Sequence, residues 1–274
     1  MNDLLANPAV QSGLIPLLVA LPTAWLLSRL GWLWAGLGFA LGYYCSVYLT
    51  AGFDLTPLTS TRKILLLGAG ATVLGVLIDL YPGKRRVIPG LLLLLGAGAT
   101  LWLIWPLTGR STGAALWWLL VPSMFYTGWL VVTFYGLRRE TSAVAVAALT
   151  LGLGTGVSAL LGASALLGQL GSAIASAAGA FVLLLMFMGG LRLGSSFALP
   201  AGLLGGLIGI SAVAYASLPW HSLLPLALIP VTASIPLAPG IGNFKRILWQ
   251  CVLTLPLAGI AIFLTWRVAG SPLY

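Results

Sequence analysis

Ser142 to Gly168 reads SAVAVAALTLGLGTGVSALLGASALLG, a run without a single charged residue. At 1.5 Å per residue, a helix needs about 20 mostly apolar residues to cross roughly 30 Å of hydrocarbon. This run is long enough. Working outward from it, similar apolar runs recur between Gly, Pro or charged punctuation at 13–30, 33–52, 63–81, 87–107, 114–136, 171–190, 196–217, 221–241 and 247–268. None has the strict alternation of a membrane barrel strand. The sequence therefore predicts an all-α, polytopic transmembrane bundle of about ten helices, one membrane domain over 1–274. The turn between the sixth and seventh helices is expected at 168–171.

Composition makes the same point. Only 6% of the 274 residues are charged and 60% are hydrophobic, with a mean hydropathy of +1.08. A soluble domain carries roughly 25% charged residues, so this surface is suited to lipid rather than water. The two cysteines, Cys45 and Cys251, lie inside apolar runs and imply neither a disulfide framework nor a metal knuckle. No cleavable signal is expected, because Met1-Asn2-Asp3 lacks a basic start and the first apolar run leads into a hairpin. Short loops and the lack of a targeting segment fit a bacterial cytoplasmic membrane.

The net charge of +9 is spread over the ends of apolar runs, which reads as anchoring to lipid headgroups and not as a nucleic-acid surface. With the amino end outside, Arg29, Lys84, Arg85, Arg86, Arg138, Arg139, Arg192, Lys245 and Arg246 fall on the inner side. Arg62, Lys63, Arg110 and Arg267 fall on the outer side. This is the bias of cytoplasmic loops, and it places both termini outside. Arg62 and Lys63 run against it. Trp32, Trp34, Trp105, Trp117, Trp118, Trp220, Trp249 and Trp266 sit near the expected membrane edges, where amphipathic rings are favoured. Ser60 or Thr61 is the expected N-cap of the third helix.

Groups that could carry chemistry are few. The acidic residues, Asp3, Asp54, Asp79 and Glu140, all fall near helix ends, so no mid-membrane carboxylate is expected for proton or cation coupling. The lone His221 cannot supply the paired or clustered ligands of haem, zinc or copper. No catalytic residue, metal site or cofactor is expected, and the chain does not read as an enzyme. Asp79 is the carboxylate nearest the membrane interior, and it is expected to form an interfacial ion pair with Lys84-Arg85-Arg86 or to act as an inner gate. Glu140 is expected to cap the sixth helix.

Backbone irregularity is the remaining signal. Gly152, Gly154 and Gly156 sit close together in the sixth run, followed by Ser158, Gly162 and Ala165. Such a stripe serves either close helix packing or a local unwinding. GxGTG here is no dinucleotide fingerprint, since no strand precedes it. The ninth run carries Pro225, Pro230, Pro236 and Pro239 around Thr232 and Ser234, which predicts a kinked or broken helix. Discontinuous helices often line transporter sites. Gly154, Thr155, Ser158, Thr232, Ser234 and Pro236 are therefore the candidate substrate-binding residues. The fourth run has a fainter match in Pro89, Gly96, Gly98 and Pro106, which leaves room for two five-helix halves in inverted orientation. The repeated LLLGAGAT at Leu65–Thr72 and Leu93–Thr100 reads as low complexity.

The leading expectation is a small permease or channel-like transporter for a neutral or weakly charged solute. The alternative is a non-catalytic accessory or scaffold subunit of a larger membrane complex. Membrane lipid is the expected partner in both cases, with other transmembrane subunits or a second copy of the chain as further partners.

Overall fold

The structure is a computed structural model that describes residues 7–53, 56–81, 86–108, 114–188, 190–216, 218–237 and 240–269. Every regular element among them is helical. We label the helices α1 Val10–Leu30, α2 Leu37–Ala51, α3 Ser60–Leu80, α4 Ile88–Thr108, α5 Ala114–Leu137, α6 Thr141–Leu161, α7 Ala165–Phe187, α8 Ser195–Tyr215, α9 Leu223–Ala233 and α10 Asn243–Ala269. Single turns at Trp32–Ala35 and Trp220–Ser222 lead into α2 and α9. Eight helices are both long and apolar enough to cross a membrane, with only α2 and α9 shorter. The chain is a multi-pass membrane protein.

The bundle is organised around α8, in which every residue from Ser195 to Ala212 is buried. Helices α3 and α5 flank it, α4 lies outside α5, and α6 and α7 form the tightest pair. A helix that is small and apolar all round belongs at such a centre. Gly152 and Gly156 of α6 meet Gly171, Ser172 and Ala175 of α7 backbone to backbone: a Cβ built on Gly171 would lie 2.5 Å from Gly156 Cα. Close approach of small residues is how helices associate where the hydrophobic effect gives no preference for protein over lipid. Helix α6 is continuous through this stretch, so the glycines pack rather than unwind.

The α6–α7 boundary differs from the expected one. The chain turns at Gly162-Ala163-Ser164, not at 168–171. Ala163 takes φ 68°, and the Gly162 and Ser164 N–H groups bond back to the Ser158 and Ala159 carbonyls at 2.9 and 3.0 Å. The Ser164 hydroxyl then accepts from Leu167 N at 3.4 Å, capping α7. Gly168 and Gly171, the glycines that suggested the later turn, face α6 instead. The cap of α3 is also shifted by one residue, to Thr59, whose hydroxyl accepts from Arg62 N at 3.4 Å.

Helix α9 ends early. Its 11 residues rise about 16 Å, well short of the hydrocarbon thickness. Interior prolines also free the carbonyl four residues earlier, which must find another donor inside a membrane. Pro106 frees the Trp102 carbonyl, and Lys63 Nζ takes it at 2.8 Å. Lys63 is 7% exposed, so the lysine that ran against the charge bias serves the backbone and is no surface anchor. Beside the Leu226 carbonyl freed by Pro230, Trp129 Nε1 donates to Ala227 O at 3.0 Å.

Corresponding helix pairs α1–α2 and α6–α7 both pack, as do α4–α5 and α9–α10, and α3 packs on α8. The halves are not equivalent, however. Helices α6 and α10 pack extensively, while α1 and α5 make no comparable contact among the described residues.

Candidate functional site

The helix ends define two faces. One gathers Arg29, Arg86, Arg138, Arg139, Arg192, Lys245 and Arg246, and we call it the basic face. The opposite face holds the α6–α7 turn and the 216–222 connection, where a Cβ on Gly162 would lie 2.6 Å from the Ala216 carbonyl. Lys84, Arg85 and Arg110 lie outside the described residues.

Recesses open on the basic face among the described residues. One, about 630 Å³, is lined by Asp79, Tyr135, Arg138, Arg139, Thr141 and Arg192 among others. Asp79 ends α3, yet its carboxylate reaches the amino end of the central helix, where Oδ2 accepts from Ser196 N at 3.2 Å. The positive end of α8 and a half-buried carboxylate thereby satisfy one another. Arg138, the basic group acting electrostatically on Asp79, is itself fixed over the Tyr135 ring, 3.5 Å from its centroid. Arg138 also donates to the Tyr135 carbonyl at 2.5 Å. Of the expected partners of Asp79, Lys84 and Arg85 are outside the described residues. The observed role is a helix cap, which the sequence could not show because the partner lies more than 100 residues away.

The second recess, about 450 Å³, lies beside the truncated end of α9. Arg139, Glu140, Thr141, Ser142, Pro236, Asn243, Arg246 and Gln250 are among its lining residues. Glu140 occupies the N-cap position of α6, but its side chain makes no cap hydrogen bond. The expected capping is thus positional only, and the first N–H groups of α6 stay uncapped by a side chain.

The residues singled out from sequence do not share one cavity. Gly154 packs against Leu226 and Ala258, between α9 and α10. Thr155 is fully buried and donates to the Leu151 carbonyl of its own helix. Ser158 is fully buried in the last turn of α6, with no hydrogen-bond partner for its hydroxyl among the described residues. Thr232 and Ser234 donate to the Ile229 and Val231 carbonyls at 2.9 and 2.6 Å. Because α9 stops at Ala233, they sit at the end of α9 that points to the basic face and not in the middle of a helix. Pro236 lines the second recess.

The sequence reading missed further buried hydroxyls, on α5 and α8. Tyr126 and Thr127 of α5 lie against Gly209 and Gly206 of α8, with Tyr126 Oη 3.4 Å from a Cβ built on Gly209. Ser211 follows within the next turn of α8. The hydroxyls of Tyr126, Thr127, Ser158 and Ser211 are all buried without a partner among the described residues. Each unpaired group costs about 1–3 kcal/mol, and four of them follow the central helix toward the face opposite the arginines. Their residue types were visible in the sequence, but their facing was not, since hydroxyls on any side of an apolar run look alike. No protein-family model matches this chain, and no curated protein is similar to it.

Proposed function

We propose that this chain is a small permease, or channel-like transporter, for a neutral or weakly charged solute, with the route running along α8. The observation that carries the reading is the set of unpartnered buried hydroxyls of Tyr126, Thr127, Ser158 and Ser211. In hydrocarbon such groups are stable only with hydrogen-bonding partners, and a polar solute with its water is a partner for them. They lie along the half of α8 away from its capped amino end, where the 630 Å³ recess opens. A bundle closed at this level has to move to conduct, and α6–α7 and α8 are the elements between which it would open. On this reading the protein is no enzyme, the basic face is cytoplasmic, both termini are outside, and the membrane is a bacterial cytoplasmic membrane.

Flux of a panel of small neutral solutes into proteoliposomes tests it. Thr127→Val/Ser211→Ala removes two unpartnered hydroxyls and is expected to lower flux at least about tenfold. Thr232→Ala/Ser234→Ala removes hydroxyls already bonded to their own helix and is expected to leave it within about twofold. Equal flux in both variants would overturn the assignment.

The solid packing around Thr155 favours a second reading, a non-catalytic accessory subunit of a larger membrane complex. No flux across the panel, with other transmembrane subunits or a second copy co-purifying in fixed ratio, would decide for it.

A further inference from the structure

The recess beside α9 has the chemistry of a phosphate-ester site. Two of its lining residues, Arg139 and Arg246, carry guanidinium groups, and among the described residues neither guanidinium makes a hydrogen bond or ion pair. Glu140 is the single acidic group in the lining, so the recess is one positive charge in excess, the complement of a phosphodiester. Thr141 and Ser142 add hydroxyl donors, and the uncapped amino end of the 21-residue helix α6 directs N–H groups and a positive dipole to the same place. Planar guanidinium forks suit phosphate oxygens better than any other side chain.

A separate observation narrows the ligand. Gln250 lines this recess while being only 3% exposed, and its side-chain oxygen has no hydrogen-bond partner among the described residues. A buried acceptor beside an anion site calls for a donor on the ligand itself, such as a hydroxyl close to the phosphate. The recess also lies at headgroup depth, because Arg139, Thr141 and Asn243 in its lining stand at the basic-face ends of α5, α6 and α10. We infer that the recess binds a phosphate ester bearing a neighbouring hydroxyl: Arg139, Arg246 and Thr141 hold the phosphate, and Gln250 accepts from the hydroxyl. A glycerophosphate unit has this chemistry, either as a phospholipid headgroup or as a soluble ester.

The test reads binding rather than flux, so it stands or falls separately from the permease reading. Full-length protein, stripped of lipid in detergent, is offered phosphatidylglycerol or phosphatidylcholine, and retained lipid is counted by native mass spectrometry. Glycerol 3-phosphate and inorganic phosphate are titrated calorimetrically. The wild type is expected to prefer phosphatidylglycerol over phosphatidylcholine at least about tenfold, and Arg139→Gln/Arg246→Gln to lose that preference. Gln250→Leu is expected to keep anion binding but to bind glycerol 3-phosphate no better than inorganic phosphate. Lys245→Gln, exposed on the same face outside the recess, is expected to behave as wild type. If the double variant does not purify, Arg246→Gln and Gln250→Leu alone carry the comparison. Displacement of phosphatidylglycerol by glycerol 3-phosphate would support the site with a soluble ligand, and resistance to displacement would support it with a lipid. Indifference of the wild type to headgroup and phosphate, or unchanged binding in Arg139→Gln/Arg246→Gln, would overturn the inference.

Discussion

Replacing Gly171 by alanine tests the packing logic of the bundle most sharply. The added Cβ would lie 2.5 Å from Gly156 Cα, 2.6 Å from Gly156 N and 3.2 Å from the Gly152 carbonyl. All three are backbone atoms of α6, so no side-chain rotation relieves the clash. Ordinary contact begins near 3.4 Å, so α6 and α7 must separate by roughly 1 Å, and a gap of that size forfeits about a quarter to a half of each dispersion contact across the seam. Overpacking of this kind costs about 1–3 kcal/mol, against a helix-propensity gain of about 1 kcal/mol for alanine over glycine. The overpacking cost wins. Melting in detergent, followed by the monomer peak on size exclusion, should fall by about 2–8 °C. Gly179→Ala, two turns along the same helix, would touch only Leu149 Cδ1 at 3.7 Å and should melt at or above wild type. If both variants melt alike, the seam does not hold these helices together.

Other consequences follow from single contacts. Lys63→Met leaves the Trp102 carbonyl without a donor and should destabilise by about 1–3 kcal/mol. Adding Pro106→Ala restores a backbone N–H to that carbonyl and should recover most of the loss in the same melt. Asp79→Ala removes the cap on Ser196 N and should cost about 1 kcal/mol, whereas Asp79→Asn keeps an acceptor and should cost only a few tenths. Tyr126→Phe deletes a buried hydroxyl with no partner among the described residues; it should melt at or above wild type while lowering solute flux, a pairing that a structural hydroxyl would not give.

How far the sequence could be read depended on the solvent. The fold class was legible because hydrocarbon imposes length and hydropathy on every helix, so the 27 uncharged residues from Ser142 to Gly168 could only be membrane-spanning. The turn inside that run was not legible. Gly162-Ala163-Ser164 carries no charge or proline, and in a Gly/Ala-rich chain a glycine that turns looks like a glycine that packs. The centrality of α8 was hidden for a related reason: lipid-facing and core-facing residues are equally apolar, so hydropathy does not separate the fully buried α8 from the mostly exposed α1. At the site, the prolines of the ninth run correctly marked an interrupted helix. Its early end put Thr232 and Ser234 at the last turn of a helix, not at its middle. The polar groups beside α8 come from α5, α6 and α8, a juxtaposition set by tertiary packing alone.

The central claim is that the chain threads the membrane repeatedly and exposes its connections on alternating faces. Cysteine labelling in intact cells tests this directly, with Cys45 and Cys251 first replaced by serine. His221→Cys lies on the 216–222 side and Lys245→Cys on the basic face, and both positions are exposed. A membrane-impermeant maleimide should label His221→Cys in intact cells and reach Lys245→Cys only after permeabilisation. Labelling of both from the same side would contradict the threading described here.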